Sequence, residues 1–372
     1  MPDAAIIGAG PAGSAAAVLL AGRGWTVTLV EQHRFPRDKV CGECLSAVGV
    51  DTLSRLALLP VIESAGAVWL SRAILHAADG SSATMPLPRA MLGISRHALD
   101  SLLLDAAVAA GANVRQPARC EAIEPTANAV FVKVRDLANN RVESITASFV
   151  ILADGKSAIP LATPARTQDI GIKAHWENAD ATRDAIELFS LRGCYGGLAA
   201  IEAGRWNTAL SVPASRVKTH CGNIDSLFHE LLTENASLRR RLSGATRVGP
   251  WLAAPLPRFA VRRDFPTRVI PVGNAAAALE PIGGEGMGLA LRSAELACAS
   301  LVVNHGHWSD GHSHELLNDY DHLWRARRLG CRAAAMVVSS SKAMNVAVNL
   351  LGATDHLARG VFGLMGKHAA HP

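Results

Sequence analysis

The segment from Ala4 to Glu31 constrains the fold more than any other. Ala4 to Gly8 is a short apolar strand, Ala12 to Arg23 an Ala-rich helical run, and Thr26 to Glu31 a second apolar strand. Between the first two lies Gly8-Ala9-Gly10-Pro11-Ala12-Gly13. In a β-α-β unit, glycines at this spacing let the backbone turn tightly and approach a pyrophosphate. The free N–H groups of the helix N-terminus then stabilise its charge. Such a glycine pattern alone is weak. Here Glu31 closes the second strand where a carboxylate accepts hydrogen bonds from an adenosine ribose and disfavours a 2′-phosphate. The three elements in register specify a dinucleotide site, for NAD or FAD.

Later segments favour FAD. Val150-Ile151-Leu152-Ala153-Asp154-Gly155 is a strand ending in Asp-Gly, and Val269-Ile270-Pro271-Val272-Gly273-Asn274-Ala275 is a strand ending in a small-residue turn. Glu280-Pro281-Ile282-Gly283-Gly284-Glu285-Gly286-Met287-Gly288 follows, glycines again opening a helix that runs to Val303. Between these landmarks Lys39 to Leu59 reads as helical, Val68 to His76 as a strand, and Arg96 to Ala110 as a helix ended by Gly111. Val130 to Arg135 and Ser144 to Leu152 flank the hairpin signal Asn139-Asn140. From about Gln168 to Ala260 the chain is strand-rich, with one polar helix near Asp225 to Leu242, and is expected to form an inserted substrate domain.

These motifs resemble the FAD-binding oxidoreductases of the aromatic-hydroxylase, geranylgeranyl-reductase and flavin-halogenase superfamily. Five segments carry the resemblance in the family's order: the N-terminal fingerprint with Glu31; Phe35-Pro36-Arg37 with Lys39-Val40-Cys41-Gly42-Glu43; Ser95-Arg96 with Leu99-Asp100; Ala153-Asp154-Gly155 with Ser157; and Gly273 to Gly288. The resemblance implies an α/β fold. Its Rossmann-type, GR2-like FAD-binding domain would comprise residues 1–75, 96–165 and 263–305, with a β-rich substrate domain interleaved at 76–95 and 166–262 and C-terminal helices over 306–372. It also implies that Gly8, Gly10, Pro11, Ala12 and Gly13 hold the FAD pyrophosphate, that Glu31 and Gln32 bound the adenosine ribose, and that Arg37 and Arg96 reach phosphate or ribityl oxygens. Cys41 and Gly42 would cover the flavin, and Asp154 and Gly155 would lie beside FAD and a nicotinamide donor. Pro281, Gly284, Glu285, Gly286 and Met287 would run along the isoalloxazine, where a helix N-terminus stabilises the negative charge of reduced flavin. In one departure, the family's late Gly-Asp pair is Gly273-Asn274 here, and Asn can still accept a ribityl hydrogen bond.

The reaction implied is monooxygenation of a small aromatic or unsaturated substrate through a flavin C4a-hydroperoxide, with NAD(P)H as electron donor, in the biosynthesis of a secondary metabolite or modified cofactor. The Trp-x-Trp-x-Ile-Pro signature of the halogenases and the Tyr-x-Trp-x-Phe-Pro signature of the geranylgeranyl reductases are missing from the comparable hairpin, Cys194 to Ile201. Reduction, desaturation and halogenation stay open, as does action on an aromatic side chain of a partner protein or on a carrier-tethered substrate. His175 and Tyr195, on neighbouring strands of the substrate domain, are candidate catalytic residues together with Pro281, His175 as acceptor of a phenol or indole proton.

Composition narrows the partners. A net charge of +5 arises from scattered Lys and Arg, and Arg239-Arg240-Arg241 reads as a solvated helix end, so nucleic acid is not an expected ligand. Seven dispersed Cys suit a reducing, cytoplasmic location. Cys41-Gly42-Glu43-Cys44 lacks the second ligand pair a structural zinc needs; a redox-active dithiol stays open, and no metal is expected. The most apolar C-terminal stretch, Ala333 to Met365, is broken by Ser339, Ser340, Ser341, Lys342, Asn345, Asn349, Asp355 and Arg359, which favours packed amphipathic helices. Peripheral contact with a membrane stays open.

Overall fold

The computed structural model describes residues 1–155, 168–304 and 307–353. Ser157, Asp355 and Arg359 lie outside the described residues. A five-stranded parallel sheet runs in the order Val269–Pro271, Phe149–Leu152, Ala4–Ile7, Val27–Val30, Asn113–Arg115. Its inner strands Phe149–Leu152, Ala4–Ile7 and Val27–Val30 are buried at every position, and apolar at all but Thr28, because both faces are covered. Ala4, Ile6, Leu29 and Ile151 pack into a core shared with the helices Pro11–Ala21, Arg96–Ala109 and Gly286–Asn304. Ala5, Ile7, Val30 and Leu152 pack on the opposite side against an antiparallel three-stranded sheet of Ala118–Pro125, Val130–Asp136 and Val142–Ala147. Gly286–Asn304 is long and apolar enough to cross a membrane, but Met287, Leu289, Leu291, Ala294 and Leu301 are buried in this core.

The second layer is an eight-stranded sheet in the order Thr246–Pro255, Asp169–Glu177, Trp206–Pro213, Cys194–Ala200, Ala185–Leu191, Val68–His76, Ser82–Gly93, Cys44–Leu45. The excursion therefore takes in Val68–His76 as well as the segment after it. On Asp169–Glu177 the alternation is read directly: Ile172, Ala174 and Trp176 join a core with Phe228 and Leu231, while Gly171, Lys173 and His175 point to the first domain. Two long helices close the chain, Asp310–Val338 and Ser341–Ala353.

Two expectations are corrected. The stretch from Lys39 carries no helix before Ala47, because Glu43 takes a left-handed conformation (φ 56°) that turns its carboxylate inward. The polar helix near Asp225 is two helices, Ile224–Glu234 and Ala236–Leu242, broken where buried Asn235 is extended. Its Oδ1 accepts from Leu238 N–H at 3.1 Å while its Nδ2 donates to the carbonyl of Ser190 at 3.1 Å, so the side chain serves the sheet and the second helix at once.

Candidate active site

Register brings the glycine motifs together. Ile7 pairs with Val30 on one side and Leu152 on the other, and Leu152 pairs with Pro271. Gly8, Glu31, Ala153 and Val272 therefore form one row at the carboxyl ends of four adjacent parallel strands, the edge at which open α/β sheets bind ligands. Close approach explains the glycines. A Cβ on Gly13 would lie 1.8 Å from the Gly8 carbonyl oxygen, and one on Gly8 (φ 99°) would lie 2.7 Å from that of Ala153. Gly273 (φ 58°) faces Ala12, whose Cβ would stand 3.2 Å from one built on the glycine. Turns far apart in sequence thus line one crevice.

Its walls fit FAD. The buried Glu31 carboxylate accepts from Ala9 N–H and His33 N–H, each at 2.8 Å, which fixes it beside the glycine turn. Gln32 is exposed next to it. Buried Arg96 makes a bidentate pair with Asp100, one turn along its helix, at 2.7 and 2.6 Å, and its guanidinium lies 3.6 Å from where a Gly10 Cβ would be. Burial opposes the Arg96 charge, but Asp100 outweighs it and holds the pKa above its ordinary value. Arg37 also reaches Asp100, at 3.4 Å; burial lowers its pKa, Asp100 opposes that, and the like charge of Arg96 adds to the lowering. Two guanidiniums sharing one carboxylate leave a positive charge beside bare Gly10, as a pyrophosphate requires. Asp154, Gly155 and exposed Asn274 border the same crevice, and Gly155 lies close to the Lys39 ammonium.

Residues 1–189 match the family described as FAD binding domain. The chain belongs to this FAD-binding family. Among curated relatives, conditioned medium factor receptor 1 of Dictyostelium discoideum is 25% identical over 348 residues, covering 87% of this chain and 68% of that one. Menaquinone reductase of Mycolicibacterium smegmatis is 27% identical over 353 residues, covering 87% and 79%. The flavin-dependent brominase Bmp2 superposes with a TM-score of 0.85 at 16% identity, over 98% of this chain and 93% of that one, a likeness of fold.

In this FAD-binding protein the turn Pro281–Gly283 leads through Gly284 (φ 65°) into the helix Gly286–Asn304. A Cβ on Gly284 would lie 2.8 Å from the Met91 side chain and 3.3 Å from the Cys44 carbonyl, so this loop packs against the strand that follows Cys41 and Gly42. Pro281 and Gly286 are exposed, whereas the side chains of Glu285 and Met287 are buried, Glu285 3.7 Å from Arg327.

The catalytic candidates sit in different surroundings. His175 Nε2 lies 2.6 Å from Glu43, whose carboxylate also bonds the buried Lys173 ammonium and, at 2.8 Å, Arg96 N–H. Asp38, Glu43 and His175 bring ligand atoms within 4.8 Å of one another, but Lys173 Nζ, 3.3 Å from Asp38, holds the place a cation would take. The buried Tyr195 hydroxyl donates to Glu280, the residue before Pro281, at 2.5 Å, and Glu280 pairs with Arg258, also at 2.5 Å. Burial, then the charge of Glu280, push the Tyr195 pKa well above its ordinary value. Tyr195, Ser211, Arg258, Phe259, Ala278 and Glu280 line a cleft of about 590 Å³, to which Arg328, Leu329, Arg332 and Met336 of the helix Asp310–Val338 also contribute.

Sequence reasoning gave no site role to Asp100, Lys173, Arg258 or Glu280. Asp100 carries a signal, the i,i+4 spacing from Arg96, and Lys173 alternates with His175 on one strand.

Proposed function

We propose that this flavoprotein reduces a carbon–carbon double bond of an apolar, unsaturated substrate, with electrons from NAD(P)H. The observation that carries the reading is the protonated Tyr195 hydroxyl, lining the cleft and held by Glu280 next to the Pro281 loop. FAD, held at the glycine-lined crevice and reduced, would supply a hydride. Saturating the bond also takes a proton on the second carbon, and Tyr195 is the acid placed to give it. Arg258 limits the charge left on Tyr195 and Glu280 until a solvent proton replaces it. Phe259, Ala278, Leu329 and Met336 supply apolar wall. The similarity to a menaquinone reductase along most of the chain supports a reductase.

Hydroxylation, which the motif resemblance implies, is the second reading, and His175, oriented by Glu43 through Nε2, is its candidate base. Anaerobic stopped-flow decides. Reoxidation of the reduced holoprotein by a prenol without oxygen, with a product two hydrogen atoms heavier, supports reduction. Reoxidation only by oxygen, with one ¹⁸O atom in the product, sinks it in favour of monooxygenation.

A further inference from the structure

The two C-terminal helices present an outer surface that the FAD site does not use. On Asp310–Val338, Arg325, Leu329, Arg332 and Met336 recur at helical spacing and are exposed, while Cys331, Ala335 and Val338 on the inner side are buried. On Ser341–Ala353, Lys342, Val346, Asn349 and Leu350 form a second exposed stripe opposite buried Met344 and Val348. The helix axes meet at 104°, so the apolar residues spread over both limbs of a bend and do not line a groove that would take a single peptide.

Charge selects the partner. From residue 322 to residue 353 there is no Asp or Glu, while Arg325, Arg327, Arg328, Arg332 and Lys342 are present. Arg327 turns inward to Glu285. The others leave exposed leucine, methionine and valine side chains among uncompensated positive charges. A second copy docking this face symmetrically would set like charges against each other. The chain from 354 to 372 carries one acid, Asp355, against Arg359 and Lys367, and offers no complement either. An anionic lipid surface complements both properties. The face is also continuous with the cleft, because Arg328, Leu329, Arg332 and Met336 belong to its lining.

We propose that this bent helix pair seats on an anionic phospholipid bilayer, with the cleft mouth at the lipid surface so that an apolar substrate passes from bilayer to cleft without crossing water. The docking rests on the surface alone, and only the passage of substrate rests on the function proposed above.

The test uses the full-length holoprotein, without substrate or electron donor, and vesicles of phosphatidylcholine alone or mixed with phosphatidylglycerol. The protein is expected to sediment with the mixed vesicles only, and to be released by high salt. Val346→Asp/Leu350→Asp, outside the cleft, is expected to bind about 30-fold more weakly, from two added negative charges near the surface. Its melting temperature and flavin absorbance should stay as in the parent. Failure of the parent to sediment overturns the proposal, as does undiminished sedimentation of the folded double variant. A parent dimer in light scattering that the double variant dissolves, without vesicle binding, assigns the face to a second copy and overturns it too.

Discussion

Gly13 lies so close to Gly8 that a methyl group on the first would stand 1.8 Å from the carbonyl oxygen of the second. Backbone, not a flexible side chain, is in the way, so the helix Pro11–Ala21 must move off the strand to admit it. Gly13→Ala is expected to cost about 3 kcal/mol and to open the turn that holds the pyrophosphate. The variant should purify colourless, with a lowered melting temperature. A yellow Gly13→Ala protein that melts like the parent would contradict this packing.

What was readable from sequence divides along physical lines. Gly8, Gly273 and Gly284 take positive φ, and Gly13 lies five residues from the carbonyl it approaches, so these demands are local. The parallel strands announce themselves by unbroken apolar runs. Contacts between distant side chains have no such mark. Glu43 and Lys173 are 130 residues apart, one in the turn before the edge strand Cys44–Leu45 and the other on the distant strand Asp169–Glu177, and the left-handed conformation of Glu43 hid the turn inside an apparently helical stretch. Tyr195 and Glu280 are 85 residues apart. The periodicity of Asp310–Val338 shows which face is buried, but not that its Leu329 and Met336 line the cleft beside Tyr195.

Glu43 and Lys173 join the two domains through buried charge. Removing Glu43 leaves the Lys173 ammonium only Asp38 at 3.3 Å, and removing Lys173 leaves the Glu43 carboxylate only His175 and Arg96 N–H. Glu43→Gln and Lys173→Met are each expected to destabilise the protein by about 3 kcal/mol in urea unfolding. The double variant should lose about 2 kcal/mol less than the sum. Strict additivity would mean that the two groups do not stabilise one another.

Asn274 stands where resembling oxidoreductases carry an acid. A carboxylate there accepts a ribityl hydroxyl more strongly than an amide does, by about 1 kcal/mol. Asn274 is exposed at the crevice and makes no demand on the core. Asn274→Asp is therefore expected to tighten FAD about fivefold, measured by flavin fluorescence on titration of apoprotein, without a change in melting temperature. Weaker binding would place the ribityl chain away from this residue.

Tyr195 links the cleft to pH. Its raised pKa means that the folded chain keeps the phenolic proton where the unfolded chain, with a pKa of about 10, has released it. The folded state then binds more protons, so stability falls as pH rises above about 10. Tyr195→Phe removes this contribution and leaves Tyr320, also raised by burial, in place. Its melting temperature should decline less steeply than that of the parent between about pH 9.5 and about pH 11. Turnover at neutral pH should fall about 100-fold or more with KM nearly unchanged, the pattern of a lost proton donor. An equally steep alkaline decline would show that the hydroxyl is not held neutral by its surroundings, and unchanged turnover would remove it from the reaction.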